Sequence, residues 1–135
     1  TTPVDVSVIT TATSLAFGNA HSCALLTGGA IKCWGGNMVG ELGDGTLTHQ
    51  TTPVDVSGIT TATSLAVGSS HSCALLTGGA IKCWGSNGYG HLGDGTTTDS
   101  TTPVDVSVIT TATSLAFGNA HSCALLTGGA IKCWG

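Results

Sequence analysis

Three pairs of cysteines carry the clearest chemical signal in the sequence. The pairs share one spacing and are Cys23 with Cys33, Cys73 with Cys83, and Cys123 with Cys133. In each pair two apolar runs flank a Thr-Gly-Gly segment, a pattern typical of a β-hairpin. If the turn holds three residues, Cys23 lies directly opposite Cys33, close enough for a disulfide. Three such bridges would require an oxidising compartment.

Two other interpretations of the cysteines are open at this stage. Reduced cysteines also serve as small, buried apolar side chains. A metal site would use His21, which shares a strand face with Cys23, together with Cys33. A structural zinc site takes four ligands, and the unit offers no fourth. A histidine recurs at the same position in every unit, as His21, His71 and His121, and this repetition favours a structural role.

The chain consists of three copies of one unit. Residues 1–35 recur unchanged as residues 101–135, and residues 51–85 differ from them only at Gly58, Val67, Ser69 and Ser70. The period predicts a single repeat domain, 1–135, with units 1–50, 51–100 and 101–135, the last without its linker. A repeat of this length is typical of propellers and other arrays.

Each unit contains four predicted strands. In the first unit they are Pro3–Val8, Thr13–Gly18, Ser22–Leu26 and Ala30–Trp34. No segment has the apolar spacing of an amphipathic helix. The sequence therefore predicts an all-β, propeller-type array of about three four-stranded antiparallel blades, with about twelve strands. Such an array is either a partial propeller or one that is completed by other copies.

The two segments that separate the units differ most between repeats. Residues 36–50 and 86–100 are rich in Gly, Asn and Asp, which mark turns, and they differ at seven of 15 positions. Repeat proteins usually place their specificity in loops on a constant scaffold. We therefore predict partner binding by Met38, Val39 and Glu41 in the first linker and by Tyr89 and His91 in the second.

Composition and motifs exclude several classes of function. The chain has no arginine and a net charge of −4, which argues against nucleic-acid binding. No apolar run has the length of a membrane-spanning helix. The sequence has no Gly-x-Ser-x-Gly elbow, no P-loop and no His-Glu-x-x-His motif. Asp44 and Asp94 each stand alone in a Gly-rich turn, too few oxygen ligands for calcium. We expect neither catalysis nor a cofactor.

Several short motifs, in a fixed order, resemble the regulator of chromosome condensation repeat. The first unit contributes Gly18–Cys23, Lys32-Cys33-Trp34-Gly35, Asn37, Gly40–Thr46 and Thr52-Pro53-Val54, and the second contributes Cys83-Trp84-Gly85, Asn87 and Gly90–Thr96. The resemblance covers essentially the whole chain. Among the members of this family, the chain most resembles the cysteine-bearing, secreted bacterial proteins.

The resemblance implies four-stranded blades, usually seven in a closed ring, that serve as binding platforms. Such platforms include a nucleotide exchange factor on chromatin and a secreted β-lactamase inhibitor. This chain has fewer than three periods and lacks a cationic surface, so nucleotide exchange does not carry over.

The predicted function is a non-catalytic extracellular module, secreted or at the cell surface, that serves as a protein-interaction scaffold. Its partners would be another protein or copies of itself, as a homo-oligomer or as part of a longer array, with neither nucleic acid nor a membrane span. Two alternatives are a structural subunit that assembles head-to-tail into a filament or ring, and a secreted protein inhibitor of an enzyme.

Overall fold

In a computed structural model that describes residues 1–135, the chain forms eleven strands and no helix. The strands are β1 (Ala12–Phe17), β2 (His21–Leu26), β3 (Ile31–Gly35), β4 (Gln50–Asp55), β5 (Ala62–Val67), β6 (His71–Leu76), β7 (Ile81–Gly85), β8 (Ser100–Asp105), β9 (Ala112–Phe117), β10 (Ser122–Leu126) and β11 (Ile131–Trp134). The structure contains no helix with the length and apolar character that crossing a bilayer needs.

The strands form three antiparallel sheets, here called blades 1, 2 and 3. Blade 1 has the order β1-β2-β3-β4, blade 2 has β5-β6-β7-β8, and blade 3 has only β9, β10 and β11. The all-β, propeller-type fold predicted from the sequence is confirmed. One detail differs, because the third sheet has three strands rather than four.

The blades are shifted along the chain relative to the sequence repeat. The predicted strand Pro3–Val8 is wrong, since residues 1–10 form no strand. The equivalent segments of the next two units form β4 and β8, and each pairs with the last strand of the preceding unit. A strand needs a neighbour for its backbone donors and acceptors. Residues 1–10 pair with no strand in the structure, so the count is eleven and not twelve.

The hairpin between the second and third strands of each blade has the predicted register. Leu25 lies opposite Ile31, and Cys23 lies opposite Cys33. The turn requires positive φ at both of its glycines, 94° at Gly28 and 96° at Gly29, which an L side chain rarely adopts. The same register recurs in blades 2 and 3, so local turn chemistry sets the geometry of the cysteine pairs.

The hydrophobic core lies between the blades. Each blade has two faces, because side chains alternate along a strand. The forward face of blade 1 comprises Cys23, Leu25, Ile31 and Cys33, and it packs on the rear face of blade 2, which comprises Ala62, Leu65, Ala74 and Trp84. The forward face of blade 2 packs on blade 3 in the same way. Each blade therefore depends on its neighbours for burial, as expected of a repeat array.

Candidate interaction surface

Both linkers connect the third strand of a blade to its fourth strand. The first linker covers residues 36–49, between β3 and β4, and the second covers residues 86–99, between β7 and β8. Because each occupies the same place in its blade, the two linkers lie at the same end of the sheets. Together they form the surface that distinguishes one unit from the next.

One buried asparagine organises each linker. The side-chain amide of Asn37 donates to the carbonyl oxygens of Thr46 and Thr48 at 3.0 and 3.1 Å. Its Oδ1 accepts from the backbone N–H of Leu42 at 3.0 Å. Asn87 makes the equivalent bonds in the second linker. These bonds satisfy backbone groups that a loop otherwise leaves unpaired. The linkers are therefore ordered loops whose conformation the asparagine side chain fixes.

A single aspartate closes the turn in each linker. Asp94 accepts hydrogen bonds from the backbone N–H and the hydroxyl of Thr96, both at 2.9 Å. Burial alone would raise the pKa of Asp94, but the hydrogen bonds from Thr96 and Asn87 to its carboxylate outweigh burial and lower the pKa. Asp44 makes the same contacts in the first linker. Asp44 and Asp94 thus stabilise the turns in which they lie, as their sequence context predicts.

Each linker also holds the blade that follows it. The indole Nε1 of Trp84 donates to the carbonyl oxygen of Glu41 at 2.9 Å, and that of Trp134 donates to the carbonyl oxygen of His91 at 2.8 Å. The acceptor is a backbone atom, so the side chain at this position is free to differ between the linkers. The indole of Trp84 also packs directly on Gly43, where a Cβ would lie 2.8 Å from it.

The structure separates the five predicted partner-binding residues into two groups. Glu41 and His91 are buried, and the carboxylate of Glu41 accepts from the N–H of Val39 within its own loop. Met38 and Tyr89 are 76% and 79% exposed, and Val39 is half-buried. The available surface therefore consists of Met38 and Tyr89, with Val39 at its edge, while Glu41 and His91 have internal contacts.

A histidine and a serine join each blade to the next. Nε2 of His21 lies 2.9 Å from Oγ of Ser72, and Nε2 of His71 lies 3.1 Å from Oγ of Ser122. His121 has no following blade and is exposed. These contacts support the structural role predicted for the histidines. The sequence analysis missed the serines, although the recurring His-Ser-Cys triplet is a signal that could have indicated them.

His71 lies in an environment that disfavours its charged form. Its ring stacks between His91 and Phe117, at centroid distances of 5.0 and 5.1 Å, and its Nδ1 has no hydrogen-bond partner. Burial lowers the pKa of His71 to about 4, and the charges of His91, His21 and His121 act in the same direction. His71 is therefore neutral in the folded protein near pH 7.

We expect acid to destabilise the fold through His71. Its pKa rises from about 4 in the folded chain to the ordinary 6.5 on unfolding, so the unfolded state binds the extra proton. Stability is complete above pH 6.5 and falls by about 3 kcal/mol as the pH drops to about 4. Urea unfolding at several pH values measures this loss, and His71→Gln should flatten the slope.

His121→Gln is the control for His71→Gln, because the two histidines occupy the same position of the unit and precede the same residues, and His71 is buried whereas His121 is exposed. The His121→Gln chain should keep the acid-induced loss of stability that His71 causes and that His71→Gln removes. Comparing the two variants cancels the contribution of the other ionisable groups, which both chains share. Equal slopes for wild type and His71→Gln would contradict the prediction.

The cysteines are joined in the three predicted pairs, and no thiol is free. This pairing replaces the alternative of His21, Cys23 and Cys33 as a metal set, and no three metal-ligating side chains are grouped elsewhere. The grooves between blades, of about 470 and 480 Å³, are lined by threonine, glycine, leucine and alanine without a titratable group.

These features define an open array of propeller blades. Hydrogen bonds from a tryptophan and a histidine join each blade to the next. Sequence profiles of the regulator of chromosome condensation (RCC1) repeat match residues 12–41 and 62–90 and residues 29–75 and 79–125. The chain belongs to the RCC1 repeat family. No curated protein matches the sequence significantly.

Solved structures share the fold at low identity. Prp20p from Saccharomyces cerevisiae is 24% identical with a TM-score of 0.83, over 98% of this chain and 33% of Prp20p. Human WBSCR16 is 21% identical with a TM-score of 0.83, over 92% of this chain and 33% of WBSCR16. The ectodomain of the receptor kinase CR4 from Physcomitrella patens is 24% identical with a TM-score of 0.56, over 91% and 29%. The chain spans about a third of their lengths.

Proposed function

We propose that this chain is a non-catalytic, extracellular protein-interaction module that binds its partner through the two linkers. The observation that carries this proposal is the contrast within each linker. Asn37 and Asn87 hold the loops rigidly from inside, while Met38 and Tyr89 extend into solvent. A rigid loop loses little conformational entropy on binding, and aromatic residues and methionine are enriched at the centres of protein interfaces.

The extracellular setting is supported by the cysteines. Two of the three cystines, Cys23–Cys33 and Cys73–Cys83, are fully buried between blades. They are therefore part of the hydrophobic core. Disulfides of this kind persist in oxidising compartments. The blade fold also occurs in a receptor-kinase ectodomain, which supports the proposed setting.

Binding to proteins is supported by the relatives and by the electrostatics of this chain. The structure of Prp20p is described with its binding to Gsp1p and histones, and yeast RCC1 has been solved bound to Kap60. This chain has a net charge of −4 and no arginine, so an acidic partner or nucleic acid fits it poorly. A neutral or basic protein surface with an apolar pocket for an aromatic ring fits the linkers best.

Tyr89→Ala tests the role of the linkers. A photo-reactive residue at position 89 of the oxidised chain first captures and identifies the partner. We then expect Tyr89→Ala to weaken binding by about tenfold or more and to leave the melting temperature unchanged, because the ring is mostly exposed. Isothermal titration and thermal unfolding measure the two quantities on the same samples.

Val108→Thr is the control for Tyr89→Ala. Val108 is also an exposed apolar residue, it lies outside both linkers, and threonine keeps its branched shape. It should alter neither affinity nor stability. A Tyr89→Ala chain that binds normally, or that loses binding only together with its melting temperature, would contradict the proposed surface.

A further inference from the structure

A stack of aromatic rings joins the second linker to the blades on either side of it. His71 of β6 lies between Phe117 of β9 and His91 of the linker, with ring centroids 5.1 and 5.0 Å away. Tyr89 contacts His91 edge-on, at a centroid distance of 5.6 Å. At the equivalent positions the first linker and its blades have Val67, Glu41 and Val39. The stack therefore connects blade 2, blade 3 and the exposed tyrosine, and it has no counterpart in the first linker.

Each histidine of the stack has one buried ring nitrogen without a hydrogen-bond partner. In His91, Nδ1 donates to the carbonyl oxygen of Ser86 at 3.2 Å, and Nε2 is unpaired. In His71, Nε2 is bonded to the hydroxyl of Ser122, and Nδ1 is unpaired. Both nitrogens of a charged imidazole carry a proton, so charging either ring would bury an N–H without an acceptor, which is costly. Water supplies the acceptor once the stack opens.

No negative charge offsets a positive charge on His71. Burial is the main cause of its low pKa, about 4. The ionisable groups that face it are His91 of the linker, His21 of β2 and His121 before β10, and each of them lowers the pKa further. The contacts from blade 3, an aromatic ring and a hydroxyl, carry no charge. A proton on His71 is therefore opposed from every side while the stack is closed.

The equivalent contact between blades 1 and 2 tolerates a proton better. Glu41 occupies the position of His91, so the first linker brings a carboxylate rather than a second histidine towards His21. Burial lowers the pKa of His21, but the charge of Glu41 opposes that decrease. The hydroxyl of Ser72, which is bonded to His21, also donates to the carbonyl oxygen of Glu41 at 3.3 Å. The two linkers thus differ in how they respond to acid.

We propose that acid releases the second linker from blade 3 while the first linker stays bound to blade 2. When His71 and His91 both carry a charge, their rings separate into water, the bond from the Trp134 indole to the His91 carbonyl breaks, and Tyr89 moves with the loop. The release precedes global unfolding because it opens only one contact between blades. As regulation of the binding surface this inference rests on the proposed function, but the release itself needs no partner.

Hydrogen exchange of two indole N–H groups tests the release in the free, oxidised chain. Trp134 donates to the second linker and Trp84 to the first, and both lie in the sequence Lys-Cys-Trp-Gly. The ratio of their exchange rates therefore removes the pH dependence of exchange itself. The open loop lets His71 charge at the ordinary 6.5 whereas the closed stack delays this to about 4, so opening becomes easier as the pH falls below 6.5. We expect the ratio of Trp134 to Trp84, measured by NMR, to rise about tenfold from pH 7 to pH 5.

Exchanging one residue between the linkers should exchange their behaviour. His91→Glu gives the second linker the carboxylate of the first, and Glu41→His gives the first linker the histidine of the second. Both changes keep the backbone carbonyl that a tryptophan binds, and both chains should match the wild type in circular dichroism at pH 7. We expect His91→Glu to hold the exchange ratio within about twofold and to raise the pKa of His71, read from its ring signals, because an attraction replaces a repulsion. Glu41→His should accelerate exchange of Trp84 in acid.

Two results would overturn the proposed release. One is a wild-type exchange ratio that stays constant between pH 7 and pH 5. The other is a ratio that rises as steeply in the His91→Glu chain as in the wild type, which would mean that the linker charge has no part in it.

The regulation is tested separately, with the partner captured at position 89. Its affinity should fall from pH 7 to pH 5 for the wild-type chain and should not fall for the His91→Glu chain. Equal decreases in both chains would contradict the regulation. An exchange ratio that rises as expected in a chain whose linkers bind no partner would confirm the release and refute only the proposed function.

Discussion

Replacing Trp84 with alanine is expected to destabilise the chain by about 3–5 kcal/mol, the usual cost of deleting a large side chain from a core. Trp84 is fully buried between blades 1 and 2. Its loss leaves a cavity over Gly43 and removes the main donor to the Glu41 carbonyl, which keeps only the Ser72 hydroxyl at 3.3 Å. Chemical denaturation monitored by circular dichroism measures the change.

The repeat provides matched controls for Trp84→Ala. Trp34 occupies the same position in blade 1 but has no preceding linker, and it is only half-buried. Trp34→Ala should cost about 1 kcal/mol, as for a partly exposed residue without a partner. Trp134, which keeps its hydrogen bond to His91 but is half-buried, should fall between them. Equal losses at all three positions would contradict the account of how the blades are joined.

Reducing all three disulfides is expected to have the other large effect on stability. Each bridge closes a short hairpin loop, and removing it should cost about 2–3 kcal/mol in the chain-entropy account. In dilute protein, Cys123–Cys133 should be reduced first, since the other two cystines are fully buried. Intact mass after stepwise reduction and alkylation counts the thiols, and peptide mapping identifies the first pair.

Paired alanine variants separate the three bridges. Replacing Cys73 and Cys83 together should cost more stability than replacing Cys123 and Cys133 together, because the former also leaves a gap between packed blades. Six alkylated thiols in unreduced protein prepared under oxidising conditions would contradict both the disulfides and the extracellular setting proposed from them.

Much of the fold follows from local sequence. The hairpin register was predicted because the Thr-Gly-Gly turn and the flanking apolar runs lie within a few residues of each other. That register alone placed Cys23 opposite Cys33. The turn role of Asp44 and Asp94 was predicted from their Asp-Gly context, and the structure adds that each carboxylate accepts from the N–H and the hydroxyl of the threonine two residues further on.

The contacts that the linkers make with the next blade could not be predicted from local sequence. Their variability indicated five candidate residues, but variability does not distinguish an exposed side chain from one whose backbone carries the contact. Glu41 and His91 differ in type and yet serve the same purpose, because the tryptophan of the next blade binds their carbonyl oxygen. That partner lies in another unit, so only the packing of the blades reveals the contact.

The sequence by itself determined the period and the register of the hairpin that places the two cysteines of a unit opposite each other, because both arise within one unit of about 50 residues. The tertiary structure decided which strand completes which sheet, and it gave identical residues different environments. Ile31 and Ile131 have the same neighbours in sequence, but one is 1% and the other 68% exposed. The physical reason is that burial and strand pairing between units depend on what lies next to a blade in space.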